Sequence, residues 1–505
     1  MEVAALLAVA QDHTFGQPPG AQLRATVLGQ RLAAAAGASA AELAATWWTS
    51  ALRFLGCTGH SFELAALFGD EIETRARSML TDPTNPADLL REIVGHAGPG
   101  LSGVDRLRSV VATLAGGRKA AEMNFRTACE VADAFAVRLG LGGDVRAALA
   151  GTFERWNGRG LPVGMKGLAI PRPARVAHLS QEFEVLARVE GVGRAGDVIR
   201  ARRGKTYEPA LADLVLAGGP DWWSSVEAAD SWDLALSLAP AGPPLSSVEA
   251  HDALLVLGDF ADLKSPWTSG HSRAVAALAR EACGPLGPLG SVAEAAALVH
   301  DLGRVSVPNT IWDKPSALTR DEHDRAETHT LVTDQLLRRL PYTVDLAGLA
   351  CAAHERVDGT GYHRRVNGPF LDEVQRVIAA ADCYQAMTSD RPYRPALAPD
   401  SAAGELRAMS ASGALDGEAV ERVLAAAGHR RAARPPLPAG LTAREAEVLR
   451  LLCLGLTTRE VADRLVISAK TADHHVQHIY TKIGVSTRGA AALFAMEHGI
   501  LSQVA

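Results

Sequence analysis

The residues best suited to chemistry lie in His300-Asp301-Leu302-Gly303-Arg304. An imidazole nitrogen beside a carboxylate oxygen makes a compact claw for a divalent ion such as Mn²⁺ or Fe²⁺. A His-Asp pair alone also fits a solvated or core-packed pair, so its surroundings must decide. Further ligand types occur at a distance. His271 follows Trp267-Thr268-Ser269-Gly270, His329 lies in Glu327-Thr328-His329-Thr330, His354 precedes Glu355, and Asp382 closes Ala379-Ala380-Ala381-Asp382. An apolar helix that carries an ionisable side chain inward needs a partner for it, because an unpaired buried charge is costly.

Helices must position these groups. Ser291 to Val299 is an Ala-rich helical stretch with Ser291 and Glu294 as a capping box, and Pro308-Asn309 is a turn. The pair is therefore expected where a helix ends, with two neighbouring side chains free to point into a cleft. His271 is expected to open a helix. His60, His323, His363 and His429 have no evident partner and are expected at the surface.

Composition sets the frame. A chain of 505 residues allows about three domains of ~150 residues each. With 48% hydrophobic and 21% charged residues it is globular, not disordered. Abundant Ala and few aromatics favour helices. A net charge of −6 gives no global sign of nucleic-acid binding, so any DNA contact must come from a local patch. The six cysteines, at 57, 129, 283, 351, 383 and 453, form no CxxC pair, which fits reduced thiols in a cytoplasm. No signal peptide and no apolar run of ~18 residues is evident, so no membrane partner is expected.

Part of the chain recurs. A shift of 201 lays Glu154-Arg155 on Glu355-Arg356, Gly158 on Gly359, Gly160 on Gly361, Gly167 on Gly368, and Arg175-Val176 on Arg376-Val377. Such self-similarity points to a duplicated unit. Upstream, Arg53-Phe54-Leu55-Gly56-Cys57 can be laid on His300 to Arg304 with a different separation. The first copy then has Arg53, Phe54, Phe153 and Gln181 for His300, Asp301, His354 and Asp382, and is expected to hold no metal. Two unrelated helical segments sharing a Gly-rich turn are the alternative. Ala239 to Val248 and Arg430 to Gly440 are linkers by composition.

In order, His271-Ser272, His300-Asp301-Leu302-Gly303-Arg304, His329, His354-Glu355-Arg356-Val357-Asp358-Gly359-Thr360-Gly361-Tyr362, Asp382 and Thr388-Ser389-Asp390-Arg391-Pro392-Tyr393-Arg394 resemble the HD-GYP branch of the HD phosphohydrolases over about 265–396. The resemblance implies a helical two- or three-metal site that hydrolyses cyclic di-GMP. It implies His271, His300, Asp301 and Asp382 as ligands of one ion, with Asp301 bridging to a second held by His329 and His354. Hydroxide activated by the ions would be the nucleophile, and Arg304 would offer its charge to phosphate. The chain departs from the pattern in several places. Ala353 replaces the first of two His before the Glu, so the second ion loses a ligand. Arg304 stands for Lys, His363 for the Pro of GYP, and Trp267 where a third-metal carboxylate can occur, so one or two ions are expected.

The last block, 441–505, carries Thr442/Glu445 and Thr457/Glu460 as capping boxes. Ser468 is placed to cap a helix, Ala469 to Ile483, that is polar along one side. The run from Leu441-Thr442 through Glu460-Val461-Ala462, Ile467-Ser468, Lys470-Thr471 and Ile479-Tyr480 to Lys482-Ile483-Gly484-Val485 and Arg488 resembles the LuxR/NarL-type helix-turn-helix. The resemblance implies four helices, the third reading double-stranded DNA and the fourth, Thr487 to His498, supporting a homodimer. Lys470, Thr471, His474 and Lys482 are the candidate contacts. Seven basic and six acidic residues in 441–505 predict weak binding by one copy and a need for paired half-sites.

The expected fold is all-α: two tandem helical HD-like units, the first degenerate (1–240) and the second metal-binding (249–429), then a LuxR-type domain (441–505). The expected function is a DNA-binding transcriptional regulator whose HD-GYP-like unit senses or hydrolyses a cyclic dinucleotide or other phosphorylated ligand. An active cyclic di-GMP phosphodiesterase with a DNA-binding tether is the alternative.

Overall fold

The computed structural model describes residues 1–81, 86–98, 102–429, 438–453, 456–485, 491, 494–495, 498 and 500. They are helical, with no strand among them. They form two compact units, Met1–His429 and Arg430–Ala505. The stretch 240–246, expected as part of a linker, has no regular secondary structure and lies inside the first unit.

Within that unit the helices that matter come in two sets. The first set is α1 (Glu2–Thr14), α2 (Ala21–Ala35), α3 (Ala40–Ala51), α4 (Pro86–His96), α5 (Gly103–Arg138) and α6 (Arg172–Glu190). The second is α7 (Ser247–Asp262), α8 (His271–Cys283), α9 (Leu289–Leu298), α10 (Arg320–Leu337), α11 (Val344–Ala350) and α12 (Glu373–Thr388). A 3₁₀ turn follows α3 at Leu55–His60 and α9 at Leu302–Ser306.

The two sets repeat each other in detail. Asp12 at the end of α1 accepts from the amides of Gly20 and Gln22 (2.7 and 2.9 Å), fixing the start of α2. Asp262 at the end of α7 accepts from the amide and hydroxyl of Ser272 (both 2.8 Å), fixing the start of α8. Glu154 accepts from the amides of Val163 and Gly164, and Glu355 from those of Arg364 and Val366, so each buried carboxylate shapes the same loop. The same local arrangements thus recur in the two sets of helices.

Two glycines show why the chain cannot vary freely here. A Cβ on Gly303 would lie 2.0 Å from the His329 carbonyl oxygen of α10, and one on Gly56 would lie 1.8 Å from that of Ala128 in α5. In each half the 3₁₀ turn therefore presses backbone to backbone against the long helix. The same contact pairs Ala128 with His329, again 201 residues apart.

The halves are packed together. α1 lies against the Leu302–Ser306 turn. Buried Glu71 of the first half pairs with buried Lys264 of the second and accepts from the Asn309 amide at 3.0 Å. Arg138 of α5 donates to Asp259 of α7 at 2.5 Å. Within the first half, Trp47, fully buried, donates its indole N–H to the Ala235 carbonyl at 2.8 Å.

Local expectations needed adjustment. α3 begins at Ala40, under a Ser39–Glu42 capping box. α5 is a single helix of 36 residues. Ser291 and Glu294 form no capping box, because α9 starts earlier, after Pro288, and Glu294 instead pairs with Arg280 at 2.7 Å.

Gly303→Ala should cost about 1–3 kcal/mol, the usual penalty of overpacking, and lower the thermal midpoint. Gly348→Ala, on α11 with nothing near its Cβ, should not. Equal melting of Gly303→Ala and the parent would contradict the close approach.

Candidate metal centre

Six side chains from five places in the second half meet at one buried point. His271 is the first residue of α8, His300 and Asp301 join α9 to the 3₁₀ turn, His329 lies in α10, His354 follows α11, and Asp382 lies in α12. His271, His300, Asp301, His329 and Asp382 are all buried, and His354 is partly so.

Asp301 is the hub. Its Oδ2 lies 3.4 Å from His271 Nε2 and 3.4 Å from His300 Nε2, and accepts from Arg304 at 2.7 Å. Its Oδ1 lies 3.3 Å from His329 Nε2 and 3.3 Å from His354 Nε2. Asp382 Oδ1 is 3.2 Å from His271 Nε2 and 3.8 Å from His300 Nε2, while its Oδ2 is 3.6 Å from His354 Nδ1. Two sets of donor atoms lie close enough to share an ion: His271, His300 and Asp382, and His300, Asp301 and His354.

The tautomers say what belongs between them. His300 Nδ1 faces the Ala297 carbonyl at 2.7 Å, and His329 Nδ1 faces the Ala326 carbonyl at 2.6 Å. A carbonyl only accepts, so both rings carry hydrogen on Nδ1. Gln385 donates its amide to Ser389 at 2.9 Å and turns its oxygen to His271 Nδ1, with the same result. In their neutral forms the three rings therefore direct bare Nε2 lone pairs at carboxylate oxygens. These Nε2 atoms are buried and have no hydrogen-bond partner. Facing acceptors repel unless a proton or a cation lies between them.

Protons satisfy only part of the set. Burial opposes charge on His271, but Asp301 and Asp382 outweigh it and push its pKa up to about 9. His300 is raised for the same reason, again against burial. His329 moves the other way: burial lowers it, helped by His354 and Arg304, and Asp301 does not compensate. At neutral pH His329 thus keeps its lone pair toward Asp301 Oδ1. Burial alone would raise both carboxyls, yet the surrounding cationic groups hold Asp301 and Asp382 well below the usual range. Imidazole nitrogens and depressed carboxylates around one point are the donor set of a divalent-metal centre, and the residues present fit one.

Neighbours fix the rings. Tyr362 stacks on His354 (5.1 Å, 7°), and Trp312 meets His329 edge-on at 5.3 Å. Arg304 lies over Trp312 at 4.2 Å. Thr333 accepts from the Gly303 amide at 2.9 Å and lies 3.0 Å from the His329 carbonyl, tying the 3₁₀ turn to α10. Gln385, Thr333 and Trp312 were not singled out from sequence, since nothing in their spacing marks them, whereas Tyr362 lies in the quoted motif. Ala353 is fully buried, and Trp267 is 37% exposed and offers no ligand atom. Three histidines expected at the surface are not there. His60 is buried, His363 is half-buried with Nδ1 3.0 Å from the Thr330 hydroxyl, and His429 lies 2.8 Å from the Tyr384 hydroxyl. Each is drawn in by a fold that a lone histidine does not reveal.

The equivalent place in the first half holds none of these ligands. Its residues are Ala21, Arg53, Phe54, Ala128, Phe153 and Gln181. The buried Arg53 guanidinium sits 5.4 Å from the ring centres of Phe54 and Phe153, and burial pushes its pKa down to about 10. Phe15 and Phe125 close the cluster, at 4.1 Å from Phe54 and 4.7 Å from Phe153. A fixed organic cation among aromatic faces stands where the second half gathers metal ligands.

The C-terminal unit is built as its capping residues dictate. Both boxes form, Thr442–Glu445 and Thr457–Glu460, at the starts of α13 (Ala443–Cys453) and α14 (Thr458–Arg464). Ser468 accepts from the Thr471 amide at 3.0 Å to start α15 (Ala469–Ile483). Ala472, Val476 and Ile479 face the core, while Lys470, Thr471 and His474 are exposed. Lys482 donates to Glu445 at 2.6 Å and to the Gly440 carbonyl at 3.0 Å, so its ammonium also braces α15 against α13. The second linker, apart from 438–440, and two-thirds of the expected fourth helix lie outside the described residues.

Comparison with known proteins agrees with both units. An HD domain family matches residues 256–419, and the family of bacterial regulatory proteins of the luxR type matches 439–495. The 3'3'-cGAMP-specific phosphodiesterase 3 of Vibrio cholerae is 32% identical over 412 residues, 79% of this chain and 89% of that one. The cyclic di-GMP phosphodiesterase response regulator RpfG of Xanthomonas campestris is 33% identical over 120 residues, 23% of this chain and 32% of that one. A crystal structure of a cyclic GMP-AMP specific phosphodiesterase of V. cholerae superposes with a TM-score of 0.58 at 28% identity, covering 85% of this chain and 97% of that one.

The pKa directions predict how metal and pH interact. In metal-free protein the raised pKa of His271 stabilises the fold fully below the unfolded value of about 6.5, and this contribution is lost as pH rises through about 9. Metal must displace that proton, so metal-loaded protein should gain stability over the same window. Thermal midpoints measured from pH 6 to 9.5, with chelator and with Mn²⁺, should therefore diverge as pH rises. Parallel curves would contradict the assignment.

Proposed function

The chain belongs to the HD-GYP-type cyclic-nucleotide phosphodiesterase family of HD-domain proteins, and from that membership we propose that it is a metal-dependent cyclic-dinucleotide phosphodiesterase that carries its own DNA-binding domain. The observation that carries the proposal is the set of buried, unpartnered Nε2 atoms of His271, His300 and His329 around Asp301 and Asp382. His271, His300 and Asp382 with Asp301 Oδ2 would hold one ion. His329 and His354 with Asp301 Oδ1 would hold a second, and these nitrogen and oxygen donors suit Mn²⁺ or Fe²⁺. When bound, such ions polarise a phosphoryl oxygen and lower the pKa of water.

The chain's own groups do the rest. Hydrolysis adds water across one P–O ester bond of the ring and leaves a linear dinucleotide with a phosphate monoester. Arg304 keeps Asp301 ionised and supplies positive charge beside the scissile group. Tyr362 and Trp312 lock His354 and His329 in place and shield the site from bulk water. Arg391, 9% exposed and held by the Trp267 carbonyl at 3.1 Å, adds a cation at the side of α8. The similarity to the V. cholerae protein favours a 3'3'-linked cyclic GMP-AMP as substrate, with cyclic di-GMP the alternative. The LuxR-type domain binds duplex DNA through the exposed start of α15, Lys470, Thr471 and His474, with phosphate contacts positioning and base contacts specifying.

A second reading, sensing without turnover, draws on Ala353. With no imidazole there, the second ion has only His329, His354 and a shared carboxylate, and ligand binding could outlast catalysis.

Purified protein with Mn²⁺ or Fe²⁺ should linearise 3'3'-cGAMP or cyclic di-GMP. Asp301→Ala should lose more than about a hundredfold, beyond the 10–100-fold usual for losing a mere supporting group of a metal ligand. Tight binding of either dinucleotide without product would favour sensing, and neither binding nor turnover would refute the proposal. On duplexes selected from a random library by the parent protein, Lys470→Ala/Thr471→Ala should weaken binding by at least about tenfold. Unchanged binding would reject α15 as the reading helix.

A further inference from the structure

We propose that the first half carries a self-association surface, the start of α5 together with α4, and that its occupant is a second copy of this chain. α5 runs on well beyond the part that packs against the Leu55–His60 turn. In its first three turns Val104, Leu107, Val111 and Leu114 are 47–64% exposed. These four large apolar residues recur at intervals of three and four, the spacing of a coiled-coil seam. Scattered apolar side chains are ordinary on a surface, but a seam of this kind is a site of association.

The residue types say what covers it. Taking Val104 as position a puts Val104 and Val111 at a and Leu107 and Leu114 at d. A β-branched residue at a with Leu at d favours two parallel strands, so the fitting partner is the same helix from another copy. Two heptads are short for a free-standing coiled coil, and α4 widens the seam. Arg106 of α5 donates to the carbonyls of Val94 and Gly95 at the end of α4 (3.2 and 3.0 Å). Leu90 and Val94 of α4 are each 48% exposed, while Ile93 and Ala97 pack with Val110 and hold α4 on α5. A two-fold pairing of α4 and α5 with their copies would bury both sets, and a two-fold contact is self-complementary by construction.

The inference rests in one respect on the DNA-binding reading: a LuxR-type domain with nearly balanced charge needs paired half-sites, hence two copies. The first half, which lacks metal ligands, would then contribute assembly instead of chemistry.

The test uses the full chain without DNA, so that its failure is separate from failure of DNA binding. Metal-loaded protein at tens of micromolar should sediment at twice the 53.1 kDa of one chain. Leu107→Glu/Leu114→Glu should sediment as a monomer with unchanged far-ultraviolet circular dichroism. Should that variant unfold, Leu107→Cys decides instead: mild oxidation should give a reducible covalent dimer in high yield. Parent protein that sediments as one chain, a folded double variant that stays dimeric, or no cross-link from Leu107→Cys would each overturn the proposal.

Discussion

Everything in the second half is arranged around one electrostatic demand: imidazole lone pairs and carboxylates, all buried, point at each other. Acceptors cannot satisfy acceptors. Hydrogen bonds from the far side of His271, His300 and His329 fix the tautomers, so the rings cannot relieve the conflict by flipping a proton. His329, whose pKa burial depresses, cannot relieve it by protonation either. Only a cation resolves the whole cluster. The helices that converge there, the Gly303 contact and the Tyr362 and Trp312 packing all serve to hold the conflict in place.

The duplication shows the same fold meeting the same problem differently. Where the second half leaves room for a metal, the first half fills the space with Phe54, Phe153 and the Arg53 guanidinium. The shared features are those that backbone geometry requires: the glycine pressed on the long helix, the buried carboxylate shaping the loop, and the Asp that starts the second helix. The features that differ are those chemistry requires. The halves are joined by buried Glu71 and Lys264, so the half without ligands also braces the one with them.

Much of this was legible in the sequence. The ligand types at 271, 300, 301, 329, 354 and 382 stand out because His and Asp rarely sit in Ala-rich helical runs without reason, and the structure brings all six together. The 201-residue repeat was visible because glycines and a buried Glu tolerate little change. The capping boxes of the C-terminal unit read directly, since each is a local contact within four residues. Less local features did not. Gln385 sets the tautomer of His271 across more than a hundred residues, and no spacing announces that. Glu294 answers Arg280 on a neighbouring helix instead of capping its own. His60 is buried, and His363 and His429 half-buried, by packing that single residues cannot disclose. Lys482, read from sequence as a candidate DNA contact, also holds two helices together.

The central claim is that a divalent ion completes the cluster around Asp301. Elemental analysis of protein purified without chelator and dialysed against Mn²⁺ or Fe²⁺ tests it most directly. The account predicts about one to two ions per chain in the parent protein and essentially none in Asp301→Ala, with Arg53→Met retaining the parental content. Parent protein that retains no ion, or Asp301→Ala that retains as much as the parent, would contradict it.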